Sequence, residues 1–276
     1  HSAVKRHRLR SVKALILLLD SSGAPEVALP SDAENPAETA SAETRRQVVA
    51  SLVSEIVMCT KESNKKTRAA AYDLLVEIGK AMDTNRLATV RLGGGAMEED
   101  DGGPVSGLQN LFTMVMAGLV ASHPHMISAT VTALARLVFE FANRLGEDLP
   151  QLLSAVLMLF RQKSREVVKA CLGFVKVAVM RLAAWQLEPH VGEILEGVLL
   201  WASDTKNRFK LKVRTIVEAL AKRCGYDAVA AAIPASDAKL LVHIRKTKER
   251  MARQKAQRRA GASVAGDDAD MDDVRS

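Results

Sequence analysis

Lys206, Lys210 and Arg214 recur every four residues in TKNRFKLKVRTIVEALAKRCG, with Arg208 and Lys212 between them. On a helix the first three share a face, and no acid stands four residues away until Glu218. Like charges at this spacing repel by about 0.2–0.5 kcal/mol per pair. A polyanion relieves that repulsion, and a phosphate backbone binds such cations by releasing counterions, with affinity that falls in salt. A solvated basic helix is the plainer alternative. Lys222 and Arg223 carry the charge to the end of the segment. A second basic stretch, RKTKERMARQKAQRR, adds Arg245, Lys246, Lys248, Arg250, Arg253, Lys255, Arg258 and Arg259. Beyond Ile244 it retains only Met251 as a large apolar residue, so it must be held by something other than burial or be disordered when free. Aromatic platforms for stacking bases are missing, which points to recognition of shape and phosphate rather than base identity. A nuclear localisation signal has the same composition, and the two roles are compatible.

Other candidate chemistry is weak. Gly93-Gly94-Gly95 lacks the Lys-Ser/Thr of a phosphate-binding loop and a preceding strand, and reads as part of an insertion. His123 and His125 could donate to a metal, but no third ligand lies near in sequence, and a surface turn explains them. Cys59, Cys171 and Cys224 are far apart, without CxxC spacing, as in a protein with reduced thiols. No nucleophile elbow or carboxylate pair stands out, and Glu98–Asp101 reads as a solvated acidic loop. The expectation is therefore no enzyme activity, no cofactor, no metal and no small-molecule substrate.

The formal net charge of +7 is unevenly spread. Lys206–Arg259 holds sixteen Lys and Arg against four acids, a net of +12, while residues 260–276 carry −4 and residues 1–205 carry −1. Such asymmetry suggests a polyanionic partner for one region.

The elements that must position these cations are helical. Apolar residues make up 48% and aromatics only 4% of the chain, and Ala, Leu and Val recur, which favours closely packed helices over a sandwich or barrel. The longest apolar stretches, around Leu111–Ala121 and Leu152–Phe160, fall far short of the ~20 residues of a membrane span. Val12–Leu19 is expected as a short helix, and Ser21–Ala42 as a Pro- and Ser-rich linker. Helices are then expected in pairs: Glu43–Thr60 with Lys65–Met82, Val105–Ala121 with His125–Leu145, Leu149–Arg161 with Arg165–Leu182, and Glu188–Ala202 with Asn207–Arg223. Ser63, Ser164 and Asp204 are expected as N-caps, Ser236 or Asp237 as the cap of the basic arm, and Gly225 as a C-cap.

The second members resemble one another. Aligning Leu134, Leu172 and Ile216 gives intervals of 38 and 44 residues, and the longer interval of 59 from Leu75 contains the acidic, Gly-rich RLGGGAMEEDDGGPVSG. Two helices per ~40–47 residues is the HEAT/armadillo period, in which each hairpin buries its apolar faces against its neighbours. The fold class expected is therefore all-α, a HEAT/armadillo-like α-solenoid of stacked antiparallel helix pairs with a basic C-terminal helical arm. Its divisions are 1–42 (N-terminal helix and flexible loop), 43–235 (solenoid, with the insertion at 91–107), 236–260 (basic arm) and 261–276 (disordered acidic tail).

KSREVVKACLGFVKVAV (163–179), FKLKVRTIVEALAKRCGYD (209–227), DAKLLVHIRKTKERMARQKAQRR (237–259) and KKTRAAAYDLLVEIG (65–79) resemble the ribosomal RNA processing protein 12 family of HEAT-repeat ribosome-assembly factors. The resemblance runs from about Glu43 to Arg259. It implies a non-enzymatic, RNA-associated scaffold of the nucleus and nucleolus, acting on preribosomes in small-subunit maturation and in subunit export to the cytoplasm. Its partners would be pre-rRNA, preribosomal assembly factors and nuclear transport proteins, with no membrane. Family members are much longer and this chain begins at His1, so it is expected to be their C-terminal portion. A karyopherin-like transport adaptor, or a protein-interaction scaffold whose arm is only a localisation signal, are the alternative readings.

Overall fold

A computed structural model describes residues 2–21, 52–83, 107–144, 146, 148–203 and 209–267, with backbone only for 15–21 and 258–267. Every regular element among them is helical. The elements are α1 (Ser2–Ser21), α2 (residues 52–59), α3 (Lys65–Asp83), α4 (Gly107–Met116) and α5 (Pro124–Phe141). They continue with α6 (Asp148–Met158), α7 (Arg165–Arg181), α8 (Ala184–Leu187), α9 (Val191–Leu199), α10 (Lys210–Cys224), α11 (Tyr226–Ala232) and α12 (Ala238–Asp267). Single 3₁₀ turns extend α4, α5 and α6, which restores the lengths expected from the sequence.

The order of packing follows the repeat in sequence. The apolar stripes of α3, α5, α7 and α10 meet in succession, and α6 packs on α9 beside them. One continuous core results, running from Leu9 in α1 through Ile56, Leu75, Leu134, Leu172 and Ile216 to Ile244 in α12. Helices approach closely where a side chain is reduced to hydrogen. A Cβ on Gly197 of α9 would lie 2.9 Å from Phe160, a ring that is 1% exposed.

Polar contacts between successive hairpins keep the same interval. Gln109 Nε2 donates to Asp148 Oδ1 at 2.6 Å, Ser154 Oγ to Glu193 Oε2 at 3.3 Å and Trp201 Nε1 to the Phe160 carbonyl at 3.0 Å, across 39, 39 and 41 residues. Each of these contacts ties together two segments about forty residues apart in the chain.

The helix ends have local causes. Pro124 opens α5, where a missing N–H costs nothing. Ser164 Oγ accepts loosely from the Val167 amide at 3.5 Å. Asn64 rather than Ser63 caps α3, its Oδ1 accepting from the Lys66 and Thr67 amides at 2.9 and 3.3 Å. Gly225, at φ +93°, ends α10 and lets the chain turn into α11.

Four further features differ from the sequence expectation. α1 starts at Ser2 and not Val12, because Leu9 is buried and Thr67 Oγ1 donates to the Ser2 carbonyl at 3.2 Å. α12 runs beyond residue 260 to Asp267, through the helix-favouring Ala260, Ala262 and Ala265. The 3₁₀ turn Ala235–Asp237, rather than a side-chain cap, leads into α12. Finally, Pro124–Arg144 is long and apolar enough to cross a membrane by length and composition. With 61% of that window buried and α3, α4 and α7 packed on it, α5 is a core helix. Ser21, expected to open the linker, ends α1, while the rest of that linker (22–42), the cap Asp204, nearly all of the insertion at 91–107 and the first part of the helix expected from Glu43 lie outside the described residues.

Candidate nucleic-acid interface

The rotation of α10 is set by its apolar residues. Phe209, Val213, Ile216, Val217 and Leu220 are all buried, as their spacing predicts, and the basic residues between them must point elsewhere. They divide between two sides. Lys210 and Arg214 line a cleft of about 590 Å³ between α10 and the start of α12, together with Lys239 and His243. Lys212 turns the other way, towards α7, where Arg165, Lys169 and Lys176 are exposed on one face. Burial, and then repulsion from Lys169, Arg165 and Lys176, holds the Lys212 ammonium below its ordinary pKa. None of Lys169, Lys176, Lys210, Lys212 and Arg214 has an ion-pair partner among the described residues.

Arg165, Lys169, Lys176, Lys239 and His243 were not found by reading the chain for dense basic clusters. The signal for the first three was their i, i+4, i+11 spacing in REVVKACLGFVK, where Glu166 and a long apolar stripe dilute the charge.

The remaining predicted residues occupy three kinds of position. Lys222 is exposed at the end of α10, whereas Arg223 directs Nε and Nη2 to the carbonyls of Leu182 and Met180, at 3.1 and 2.9 Å. In α12, Leu241 and Ile244 are buried and dock the helix against α10. Beyond them Arg245 pairs with Glu249 at 3.3 Å, Lys248 Nζ sits 5.0 Å over the Tyr226 ring, and Lys246, Arg250, Arg253 and Lys255 are exposed. Met251 is 62% exposed, so this half of α12 projects without an apolar contact stripe. Arg258 and Arg259 lie on its helical backbone, their side chains undescribed, and Lys206 and Arg208 lie outside the described residues.

The weaker candidate groups of the sequence also have structural places. His125 Nδ1 lies 3.1 Å from Glu166 Oε1, and Lys61 Nζ lies 3.2 Å from the same oxygen. Burial pushes the Glu166 carboxyl up, but hydrogen bonds from Ser128, Lys61 and His125 outweigh it and hold the carboxyl below its ordinary range. Cys59 and Cys171 are buried and Cys224 half-buried, all as free thiols, and burial pushes Cys171 up to about 12.

Fold and surface together define a class: an all-α protein whose helices share one continuous core and carry a divided cationic face. No protein-family model matches the chain. It is 34% identical over 214 residues to Ribosomal RNA-processing protein 12 of Saccharomyces cerevisiae, covering 76% of this chain and 17% of that protein. It is 35% identical over 222 residues to the RRP12-like protein of Gallus gallus, covering 80% of this chain and 16% of that protein. To the Putative ribosomal RNA-processing protein 12 of Schizosaccharomyces pombe it is 31% identical, over 75% of this chain and 17% of that protein. The chain belongs to the ribosomal RNA-processing protein 12 family. It spans about a sixth of the length of the curated relatives it matches.

Proposed function

We propose that the chain is a non-catalytic, RNA-binding scaffold segment that acts in ribosome biogenesis by holding pre-rRNA on preribosomes. The observation that carries this reading is the division of the α10 cations between α7 and α12. It turns a local run of charge into a cationic surface spread over three helices. Phosphates along a folded RNA would be met by Arg165, Lys169, Lys176 and Lys212 on one side and by Lys210, Arg214 and Lys239 on the other. The exposed cations of α12 extend the same track, and Lys206, Arg208, Arg258 and Arg259 are assigned to it by sequence. The names of the relatives, ribosomal RNA-processing proteins, support the substrate class.

The interval of 39 to 43 residues between polar contacts supports a HEAT/armadillo-like solenoid, divided into an N-terminal helix, the repeat body and the basic arm. Residence in the nucleus and nucleolus, passage to the cytoplasm with the small subunit, and partners among assembly factors and nuclear transport proteins belong to this reading. It includes no cofactor, metal, membrane or small-molecule substrate.

The test is ultraviolet crosslinking in cells followed by sequencing of the bound RNA. The expected result is enrichment of precursor rRNA, lost on charge reversal of Lys210 and Arg214. Crosslinks no richer in precursor rRNA than those of an unrelated basic protein would overturn the assignment. Partners that stay bound after nuclease treatment, with no crosslinked RNA, would support the transport-adaptor alternative.

A further inference from the structure

A groove of about 460 Å³ separates the exposed faces of α5 and α7, well away from the α10–α12 cleft in sequence. Its floor is made of small and aliphatic side chains, Ala135, Ala170, Gly173 and Val177, with Tyr72 and Phe139 at the sides. Gly173 sits in the middle of α7, exposed, and a Cβ there would meet nothing within 4 Å. The missing side chain leaves a notch on the outer face of a helix that is otherwise continuous.

Three cations line the groove: Lys61, Arg136 and Lys169. Glu166 pairs with Lys61 at 3.2 Å and Glu140 with Arg136 at 2.7 Å, while Lys169 has no carboxylate partner among the described residues. The Arg136 Nε is buried without an acceptor among them, and Arg181 adds a further cation 4.4 Å from the Phe139 ring. Positive charge therefore exceeds negative charge around an apolar floor.

We propose that this groove docks an acidic, amphipathic peptide segment of a protein partner. One apolar side chain of the segment would fill the notch at Gly173, and its carboxylates would meet Lys169, Arg136 and Lys61. Recognition of a helix in a groove works this way, with apolar anchors for affinity and flanking charge for register. RNA fits the site less well. The exposed aromatic, Phe139, already has Arg181 and Arg136 at 4.4 and 5.6 Å from its ring centre, so a base would compete with them for the ring. The floor also offers hydrocarbon where base edges need donors and acceptors.

The groove shares Lys169 with the proposed RNA track, so the test turns on Gly173, which that track does not use. A displayed library of random peptides about 16 residues long is selected on the 276-residue chain and counter-selected on Gly173→Leu, with binding measured afterwards by anisotropy. Gly173→Leu fills the notch at an open helical position and raises helix propensity, so the variant is expected to fold, as thermal melting would verify. Gly192→Leu, at an equally open position on α9, is the control. Enriched peptides should carry a Leu, Ile or Phe flanked by Asp or Glu. Their binding should weaken by about tenfold or more in Gly173→Leu and in Lys169→Glu, and stay unchanged in Gly192→Leu. A duplex RNA of about 20 base pairs should bind wild type and Gly173→Leu alike. Failure to enrich any peptide over the counter-selection, or enrichment of peptides without acids, overturns the proposal. Loss of RNA binding in Gly173→Leu would assign the groove to RNA instead.

Discussion

Arg223 donates from Nη2 to the main-chain carbonyl of Met180 at 2.9 Å, so the last turn of α10 closes the last turn of α7. Its Nε donates to the Leu182 carbonyl at 3.1 Å. One unit earlier, Arg181 at the end of α7 donates to the Phe139 carbonyl at the end of α5, at 2.8 Å. One unit earlier again, Arg144 Nη2 lies 3.5 Å from Asp83 Oδ2 at the end of α3. The last carbonyls of a helix have no partner inside it and carry the negative end of its dipole. An arginine from the next repeat answers both needs, and its fork can reach two carbonyls at once.

Arg223→Met should therefore destabilise the chain by about 1.5–3 kcal/mol, the usual range for hydrogen bonds from a charged donor. Arg223→Lys, which keeps the charge but cannot span Met180 and Leu182, should recover little of that stability while retaining RNA affinity. Urea denaturation and filter binding on both variants check this. Full recovery of stability in the lysine variant would show that charge alone matters there.

Lys212→Met should raise thermal stability and weaken RNA binding at the same time. The Lys212 ammonium is held below its ordinary value of 10.5, first by burial and then by Lys169, Arg165 and Lys176. Its charged form is thus disfavoured by folding, and the cost is present at neutral pH. It is relieved as pH rises through the lowered folded value towards 10.5. The gain in the variant should be about 0.2–0.5 kcal/mol for each like-charge neighbour relieved, and should shrink as pH rises towards 10.5. Thermal melts at neutral pH and near pH ~10 give the comparison. A destabilised variant at neutral pH would mean that the Lys212 stem, whose ammonium lies 5.8 Å from the Phe209 ring centre, matters more than its charge.

The repeat interval and the buried stripe of α10 were legible because both are periodic: Phe209, Val213, Ile216 and Leu220 could be placed inside from spacing alone. The cations were legible as a cluster but not as a surface. Whether Lys210 and Lys212 look the same way depends on which helices flank α10, and spacing along α10 carries no information about α7. For the same reason Arg165, Lys169 and Lys176 were passed over, and Arg223 was counted with the RNA-facing residues although two of its donors serve α7. Local rules also failed by one residue at Asn64, whose amide oxygen caps α3 more directly than the neighbouring Ser63.

If the surface is one track, both sides of α10 should shape the salt dependence of RNA binding. Lys210→Glu with Arg214→Glu, and Lys169→Glu with Lys176→Glu, should each reduce the slope of log K against log salt by about 0.7–0.9 for every phosphate left without its cation. The combination should be close to additive, because the pairs lie on different faces. Binding titrations across a salt series measure the slopes. A slope that responds to only one pair would confine the interface to that side.

Glu166 links three successive units, since Lys61 precedes α3, His125 opens α5 and Glu166 itself opens α7. Burial raises the carboxyl, but the hydrogen bonds from Ser128, Lys61 and His125 bring it below its ordinary 4.5. A carboxyl depressed in the folded state stabilises above its unfolded pKa, and that contribution disappears as pH falls through the lower folded value. Glu166→Gln should therefore be less stable than wild type at neutral pH, by the ~0.2–1 kcal/mol typical of pairs this exposed. The difference should close well below pH 4.5, where wild type has also lost its charge. Urea midpoints for both proteins, from neutral pH down to about pH 3, provide the measurement. A gap that persists at the acid end would show that Glu166 acts through shape and neutral hydrogen bonding, leaving the joint between these repeats to the apolar core and the arginine at the end of each helix.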